Sequence, residues 1–293
     1  MSLQISVNTE TGKLDTVILG IAEEVSGPGL HNPKSEFHLE KGTYPTQKEI
    51  MEDIRAFETA LLSAGVKVLR PQNQPNLLQL FVRDLGFVVG DQYFIAAVKG
   101  GREKELQGIS WIMDLIGKDK IFDMRDVEGA KIEGGDVVLR DDKVFVGLSS
   151  RTNKKGLEAL REALRSSKQV IPVELKVDED DHRVHALHLD CVFQPLGNEY
   201  AIVFEDLIKD TSALYKELKL DKDNIFRVQE WQFVHMFPNI LSVSRDTVII
   251  ESEFIELKYW LRERGFKVIE VPFRQISKMG GLLRCTTLPL RRF

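Results

Sequence analysis

The apolar positions of this chain alternate between two periods. Short strand-like runs stand in pairs around polar turns: Gly86–Val89 with Tyr93–Ala97, Val137–Leu139 with Val144–Val146, Cys191–Phe193 with Tyr200–Phe204, and Ile240–Val243 with Thr247–Ile250. A lone run at Thr16–Gly20 precedes them. The turns within the pairs are Gly90-Asp91, Asp141-Asp142, Gly197-Asn198 and Arg245-Asp246, residues suited to the tight backbone of a hairpin. Between hairpins the period becomes helical, with Ile50, Ile54, Phe57 and Leu61, then Leu157, Leu160 and Leu164, then Phe254, Leu257 and Leu261 each forming one apolar face. Two of these helices stop at Gly65 and Gly265 and pass directly into apolar segments, Val66–Leu69 and Phe266–Val271. A glycine just past the last turn ends a helix, and the run beyond it reads as a buried strand.

The unit is therefore strand, turn, strand, helix, strand, repeated four or five times. Successive turns lie 51, 56 and 48 residues apart (142−91, 198−142 and 246−198), a soft period near 50. A ring of such units makes one domain, so the expectation is a single domain over residues 1–293, although the length alone suggests about two. The first unit lacks a clear hairpin. A strand around Thr286–Leu290 would complete it beside Thr16–Gly20 and close the ring by pairing the two ends. Residues 21–45, rich in Gly, Pro, His and Ser, break the periodicity and read as a loop, either a lid or a plain surface connection.

Composition narrows the function. A net charge of −5, with no basic cluster beyond Arg291-Arg292, argues against nucleic acid as the partner. The first residues have no charged region followed by an apolar run, and no stretch approaches the roughly 18 apolar residues of a membrane span, so a cytoplasmic protein without a membrane partner is expected. Two cysteines make no disulfide framework, and no CxxC pair points to zinc.

The repeat also aligns the chemistry. An acidic residue, Asp84, Glu133 or Asp190, begins each of three successive units at 7, 9 and 8 residues before the turn (91−84, 142−133 and 198−190). In a ring these positions converge with His188, and like charges gathered there imply a cation among them. A metal is one option, since His182, His185 and His188 recur at spacings of three; a solvated loop after the acidic run Asp178–Asp181 is the plainer reading, and no metal is expected. A planar guanidinium suits paired carboxylates better. On a strand, Cys191 would point away from His188 and Asp190 into the core. Cys285, after Gly280-Gly281 and just before the last apolar segment, is left as the candidate nucleophile, its glycines offering a movable backbone over the site.

These residues resemble the guanidino-group-modifying, or pentein, superfamily of arginine deiminases, dimethylarginine dimethylaminohydrolases and amidinotransferases. The matching pieces are Arg83-Asp84, Glu133-Gly134-Gly135-Asp136-Val137, the stretch from Val144 through Ser149-Ser150-Arg151-Thr152-Asn153, His188-Leu189-Asp190, and Gly280-Gly281 with Cys285, in family order from Asp84 to Cys285. The resemblance implies a five-bladed, pseudo-symmetric α/β propeller. It implies that Cys285 attacks the guanidinium carbon, Asp84 and Asp190 hold its nitrogens, His188 protonates the departing amine and Glu133 orients His188 or the substrate. Arg151 resembles the residue that grips a substrate α-carboxylate, with a surface ion pair as its alternative. Arg102 is a looser candidate for a second grip, with a solvent-facing charge at a helix start as its alternative.

The function expected is hydrolysis of arginine or an N-substituted arginine through a covalent amidino-cysteine, without cofactor. The alternatives are an amidinotransferase with an amine acceptor and a non-catalytic pentein that binds a macromolecule. The expected partner is a small guanidino compound, and a homo-oligomer is compatible with the sequence.

Overall fold

A computed structural model describes residues 2–25, 32–98, 100–178 and 180–293. Its strands form five three-stranded sheets. In the second blade Gly86–Val89 and Gln92–Ile95 form the hairpin, and Ile121–Asp123 runs parallel to its second strand. Val137–Arg140, Lys143–Leu148 and Gln169–Glu174 repeat this plan, as do Phe193–Leu196, Tyr200–Val203 and Ile225–Arg227. Leu241–Ser242, Thr247–Glu251 and Lys267–Val271 form the fifth blade. The first is built from both ends of the chain: Leu14–Leu19 pairs antiparallel with Thr287–Arg292 and parallel with Lys67–Leu69. The closure expected from the unpaired first run is thus present.

The apolar faces behave as their spacing requires. Ile50, Ile54, Phe57 and Leu61 are the buried side of the helix Gln47–Ser63, whose start is fixed by a capping box between Thr46 and Glu49. Leu157, Leu160 and Leu164 line the buried side of Lys154–Leu164. Gly65 and Gly265 take φ of 78° and 81°, the left-handed conformation that ends each preceding helix. In the third blade neighbouring residues enter different cores, Val137 and Leu139 one and Val138 the other. A sheet covered on both faces needs apolar residues at consecutive positions, which is why its strands read as unbroken runs.

One expectation changes. Residues 26–31 of the presumed loop lie outside the described residues, but Pro33–Glu40 is a helix. Asn32 caps it and donates to the Met279 carbonyl at 2.9 Å, as does the Ser35 hydroxyl. The glycine pair serves close packing: a Cβ on Gly280, which holds φ 91°, would lie 2.5 Å from the Asn32 amide, and one on Gly281 would lie 2.4 Å from the Phe81 ring. These glycines are needed for close contact along a packed seam.

At the centre of the ring lies Arg284, a fully buried side chain. Its guanidinium donates to Asp190 Oδ2 at 2.5 Å, Glu10 Oε1 at 3.0 Å and the Val137 carbonyl at 2.9 Å. It therefore joins the third and fourth blades to the N-terminal segment. Burial would raise the Glu10 carboxyl, but Arg284, Arg83 and Arg292 draw it down to about 2. Removing one partner of a buried charge group costs about 3–5 kcal/mol, because the others stay desolvated and unpaired. Arg284→Ala should lose stability of that order in denaturant titration; a change within about 0.5 kcal/mol, the usual span of a surface substitution, would refute the central role of this side chain.

Candidate active site

The site is assembled where each blade's first strand begins. One-turn 3-10 helices, Val82–Leu85, Gly134–Asp136 and Leu189–Cys191, precede the first strands of three blades and carry or adjoin Asp84, Glu133, His188 and Asp190. Cys285 stands two residues before the strand Thr287–Arg292. Close approach of these turns depends on glycine, since a Cβ on Gly135 would meet the His188 ring at 2.7 Å and one on Gly134 the Arg83 carbonyl at 2.2 Å.

A cavity of about 210 Å³ is lined by Cys285, His188, Asp84, Arg102, Arg151 and Phe81, with Asn32 and Gly280 at the seam described above. The structure thus brings together Cys285, His188, Asp84, Arg102 and Arg151 around one space. Glu133 sits behind His188, accepting from its Nε2 at 2.8 Å. The other ring nitrogen, Nδ1, lies 3.8 Å from Asp84 Oδ1. Neither of these two buried atoms has a hydrogen-bond partner among the described residues.

The cation implied by the converging acids is supplied within the chain. Asp84 Oδ2 accepts from Arg102 Nη1 at 2.6 Å, Asp190 is bound by Arg284, and Glu133 has His188 with Arg151 Nη1 3.7 Å away. Burial alone would push the His188 imidazolium down, but the Asp84 charge, the Glu133 hydrogen bond and the Asp136 charge raise it to about 10. Glu133 is drawn below the usual carboxylate range, the penalty of burial being outweighed by the His188 hydrogen bond and charge and by Arg151 and Arg102. Asp84, Glu133 and His188 do place ligand atoms within 4.8 Å of one another. His182 and His185 do not join the group.

Two assigned residues are engaged by groups of the protein itself. Arg102 faces the cavity, but Nε and Nη2 hold Glu105 bidentately at 2.8 Å each, Nη2 also bonds the Phe81 carbonyl, and Nη1 bonds Asp84. It braces Asp84 and keeps a place in the cavity wall. Asp190 does not line the cavity; it lies fully buried, with Oδ2 3.9 Å from the Cys285 sulfur. The strand alternation used for Cys191 fails because Leu189–Cys191 is a 3-10 turn. Cys191 is in the core, yet its thiol lies 3.6 Å from Asp190 Oδ1, and its hydrogen bond with Cys285 and its burial hold it far up as a thiol.

The motif around Arg151 divides into one projecting residue and its frame. Ser149 Oγ accepts from the backbone of Arg151 and Thr152 at 3.0 and 3.2 Å and donates to Asp136 at 2.6 Å. Thr152 Oγ1 accepts from the Glu133 N–H, and Asn153 caps the next helix through Gly156. Asp136 also accepts from the Leu189 N–H at 2.9 Å, fixing the turn that follows His188.

Sequence reasoning missed Arg284, Glu10 and Asn239. Arg284 donates its backbone N–H, and Cys285 likewise, to Asn239 Oδ1. The signal for Asn239 was available: it stands 7 residues before its turn (246−239), the interval that selected Asp84. A search confined to acids passed over it.

A histidine raised to about 10 adds stability that is fully present below its unfolded value near 6.5 and is lost as pH rises through about 10. In ¹⁵N-histidine spectra, His188 should keep imidazolium shifts at pH 8, and Glu133→Gln should move its titration toward neutrality. A midpoint near 6.5 in the unaltered protein would contradict the assignment.

The chain is 30% identical over 285 residues to the uncharacterized protein YkgA of Bacillus subtilis (strain 168), covering 97% of this chain and 94% of that protein. Its fold superposes on SxtG, an amidinotransferase from Microseira wollei in the saxitoxin biosynthetic pathway, with a TM-score of 0.80, 21% identity and coverage of 98% and 97% of the two chains. It also superposes on the N-terminal domain of ArgZ, a cyanobacterial arginine dihydrolase bound to substrate, with a TM-score of 0.78, 20% identity and coverage of 94% and 98%. The five sheets are thus the blades of a pentein propeller. The family model of eukaryotic N,N dimethylarginine dimethylhydrolase matches residues 33–292. The chain belongs to that family, within the pentein superfamily of guanidino-group-modifying enzymes.

Proposed function

We propose that this protein is a cysteine-dependent hydrolase of arginine or an N-substituted arginine. The observation that carries the proposal is a pair of buried atoms, Asp84 Oδ1 and His188 Nδ1, with no hydrogen-bond partner among the described residues, on two side chains that line the same cavity as Cys285. A carboxylate oxygen without a donor wants N–H groups, and an imidazolium N–H without an acceptor can deliver a proton. A guanidinium satisfies the carboxylate oxygen, and the imidazolium N–H stands ready for the amine nitrogen that leaves once sulfur has added to the carbon.

In this reading Asp84 Oδ1 accepts from the substrate guanidinium, while Arg102 fixes its other oxygen. Cys285 forms a bond to the guanidinium carbon, and the amine leaves with a proton from His188, giving an S-alkylthiouronium on Cys285. Glu133 holds His188 in place and compensates its charge. The neutral histidine then takes a proton from water, which adds to the carbon as the carbon–sulfur bond breaks, releasing citrulline from arginine. Asp190, held by Arg284, acts beside the sulfur and not on the guanidinium. Arg151, set by the Ser149 turn, takes the substrate α-carboxylate.

Turnover of a panel of arginine, dimethylarginine, agmatine and guanidinoacetate tests this. Cys285→Ser should abolish the turnover at little cost in stability; unchanged turnover sinks the mechanism. Amidino transfer to an added amine, without hydrolysis in its absence, would replace hydrolase with amidinotransferase. Arg151→Ala should lose the preference for arginine over agmatine, which lacks the carboxylate, and a preserved preference would remove Arg151 from that role.

A further inference from the structure

Counting back two residues from the first strand of a blade gives Asp84 before Gly86, Cys285 before Thr287 and Asn239 before Leu241. Asn239 is the fifth blade's contribution to the centre, and it is fully buried. Its Oδ1 accepts from the backbone N–H groups of Arg284 and Cys285, each at 3.1 Å. Backbone N–H groups can only donate, so the orientation of the carboxamide is fixed by chemistry. Its NH₂ must then point the other way, to the Cys285 sulfur at 3.2 Å and the Asp190 carbonyl at 3.3 Å. The loop that presents it is held just as firmly: the Asn239 N–H bonds the Met236 carbonyl at 2.9 Å, and Met236 takes φ 67°, a conformation kept only where the surroundings impose it.

The sulfur sits between opposed influences. Asp190 Oδ2, 3.9 Å away, disfavours a negative charge there, Arg284 offsets that carboxylate, and the Cys191 thiol and the buried Lys34 amine also act on the sulfur. Asn239 adds a neutral donor whose bond strengthens when sulfur becomes anionic and weakens when sulfur is a thiol or thioether. We propose that Asn239 holds Cys285 in its reactive thiolate form, stabilising the anion before attack and again when the carbon–sulfur bond breaks. The thiol S–H bond breaks with its proton passing to solvent, and the electron pair stays on sulfur facing the Asn239 N–H. The same pair becomes the bond to carbon and returns to sulfur on release. This rests on Cys285 being the nucleophile, and it adds a catalytic residue that does not line the substrate cavity.

The test is alkylation of the free, full-length enzyme by iodoacetamide across the thiol titration range, with a Cys285→Ser background to subtract Cys191. Asn239→Asp keeps size and one acceptor for the two N–H groups but turns a carboxylate oxygen toward sulfur. It should raise the midpoint of Cys285 alkylation by at least about one unit, a ten-fold loss of thiolate near neutral pH, with kcat reduced and KM little changed. Asn239→Ala should shift the midpoint in the same direction by less. An unchanged midpoint in an Asn239→Asp protein of native melting temperature overturns the proposal. Should neither variant fold, the side-chain amide resonance of Asn239 in labelled wild-type protein decides: it should titrate with the Cys285 midpoint, and a resonance that stays fixed overturns the assignment. Alkylation needs no guanidino substrate. Loss of the Asn239 effect and absence of turnover are therefore separate results, the first removing this role and the second the proposed reaction.

Discussion

The structure depends on a charge problem at the centre of a ring. Five equivalent blades bring their strand entrances together, and three of them bring buried carboxylates there. Such a centre folds only if each anion meets a cation, and the chain meets the requirement from its own side chains. Arg284 serves Asp190 and Glu10, Arg102 serves Asp84, and His188 with Arg151 serves Glu133. Arg284 is also the residue immediately before Cys285, so the arginine that neutralises the centre fixes the backbone that carries the thiol. Stability and placement of the nucleophile thus share one side chain.

That arrangement leaves the acids unequal. Asp84 has one oxygen committed to Arg102 and one facing the cavity, whereas Asp190 is bound to Arg284 beneath the sulfur. The first is suited to receive a cation from outside. The second lies 3.9 Å from the Cys285 sulfur, and Asn239 donates to the same sulfur. His188 follows the same logic: buried among carboxylates it stays protonated, which fits an acid that waits for a leaving amine.

Much of this was legible in the sequence because symmetry makes local signals repeat. The hairpin turns at Gly90-Asp91, Asp141-Asp142, Gly197-Asn198 and Arg245-Asp246 revealed four blades, and the unpaired run at Thr16–Gly20 revealed where the fifth closes. Asp84 and Glu133, with His188 near them, followed from places in the repeat, and Cys285 from the glycine pair before it and from setting Cys191 aside. What stayed hidden depended on side-chain partners far apart in the chain. Nothing near Arg102 says that Glu105 and Asp84 absorb most of its donors, and nothing near Asp190 announces an arginine 94 residues away. Cys191 is in the core as expected, although the two-residue alternation that put it there cannot describe a 3-10 turn. The close contacts of the glycines at 280 and 281 stayed hidden because their neighbours, Asn32 and Phe81, come from the other end of the chain.

The central claim is that Cys285 becomes covalently joined to a guanidinium carbon held on Asp84. Intact-protein mass spectrometry of acid-quenched turnover mixtures reads that bond directly. The account predicts a mass increase of one amidino-substituted group on the wild-type chain that depends on substrate, maps to Cys285 and disappears in Cys285→Ser. Product formation with no adduct at any quench time, together with turnover that survives Cys285→Ser, would contradict it.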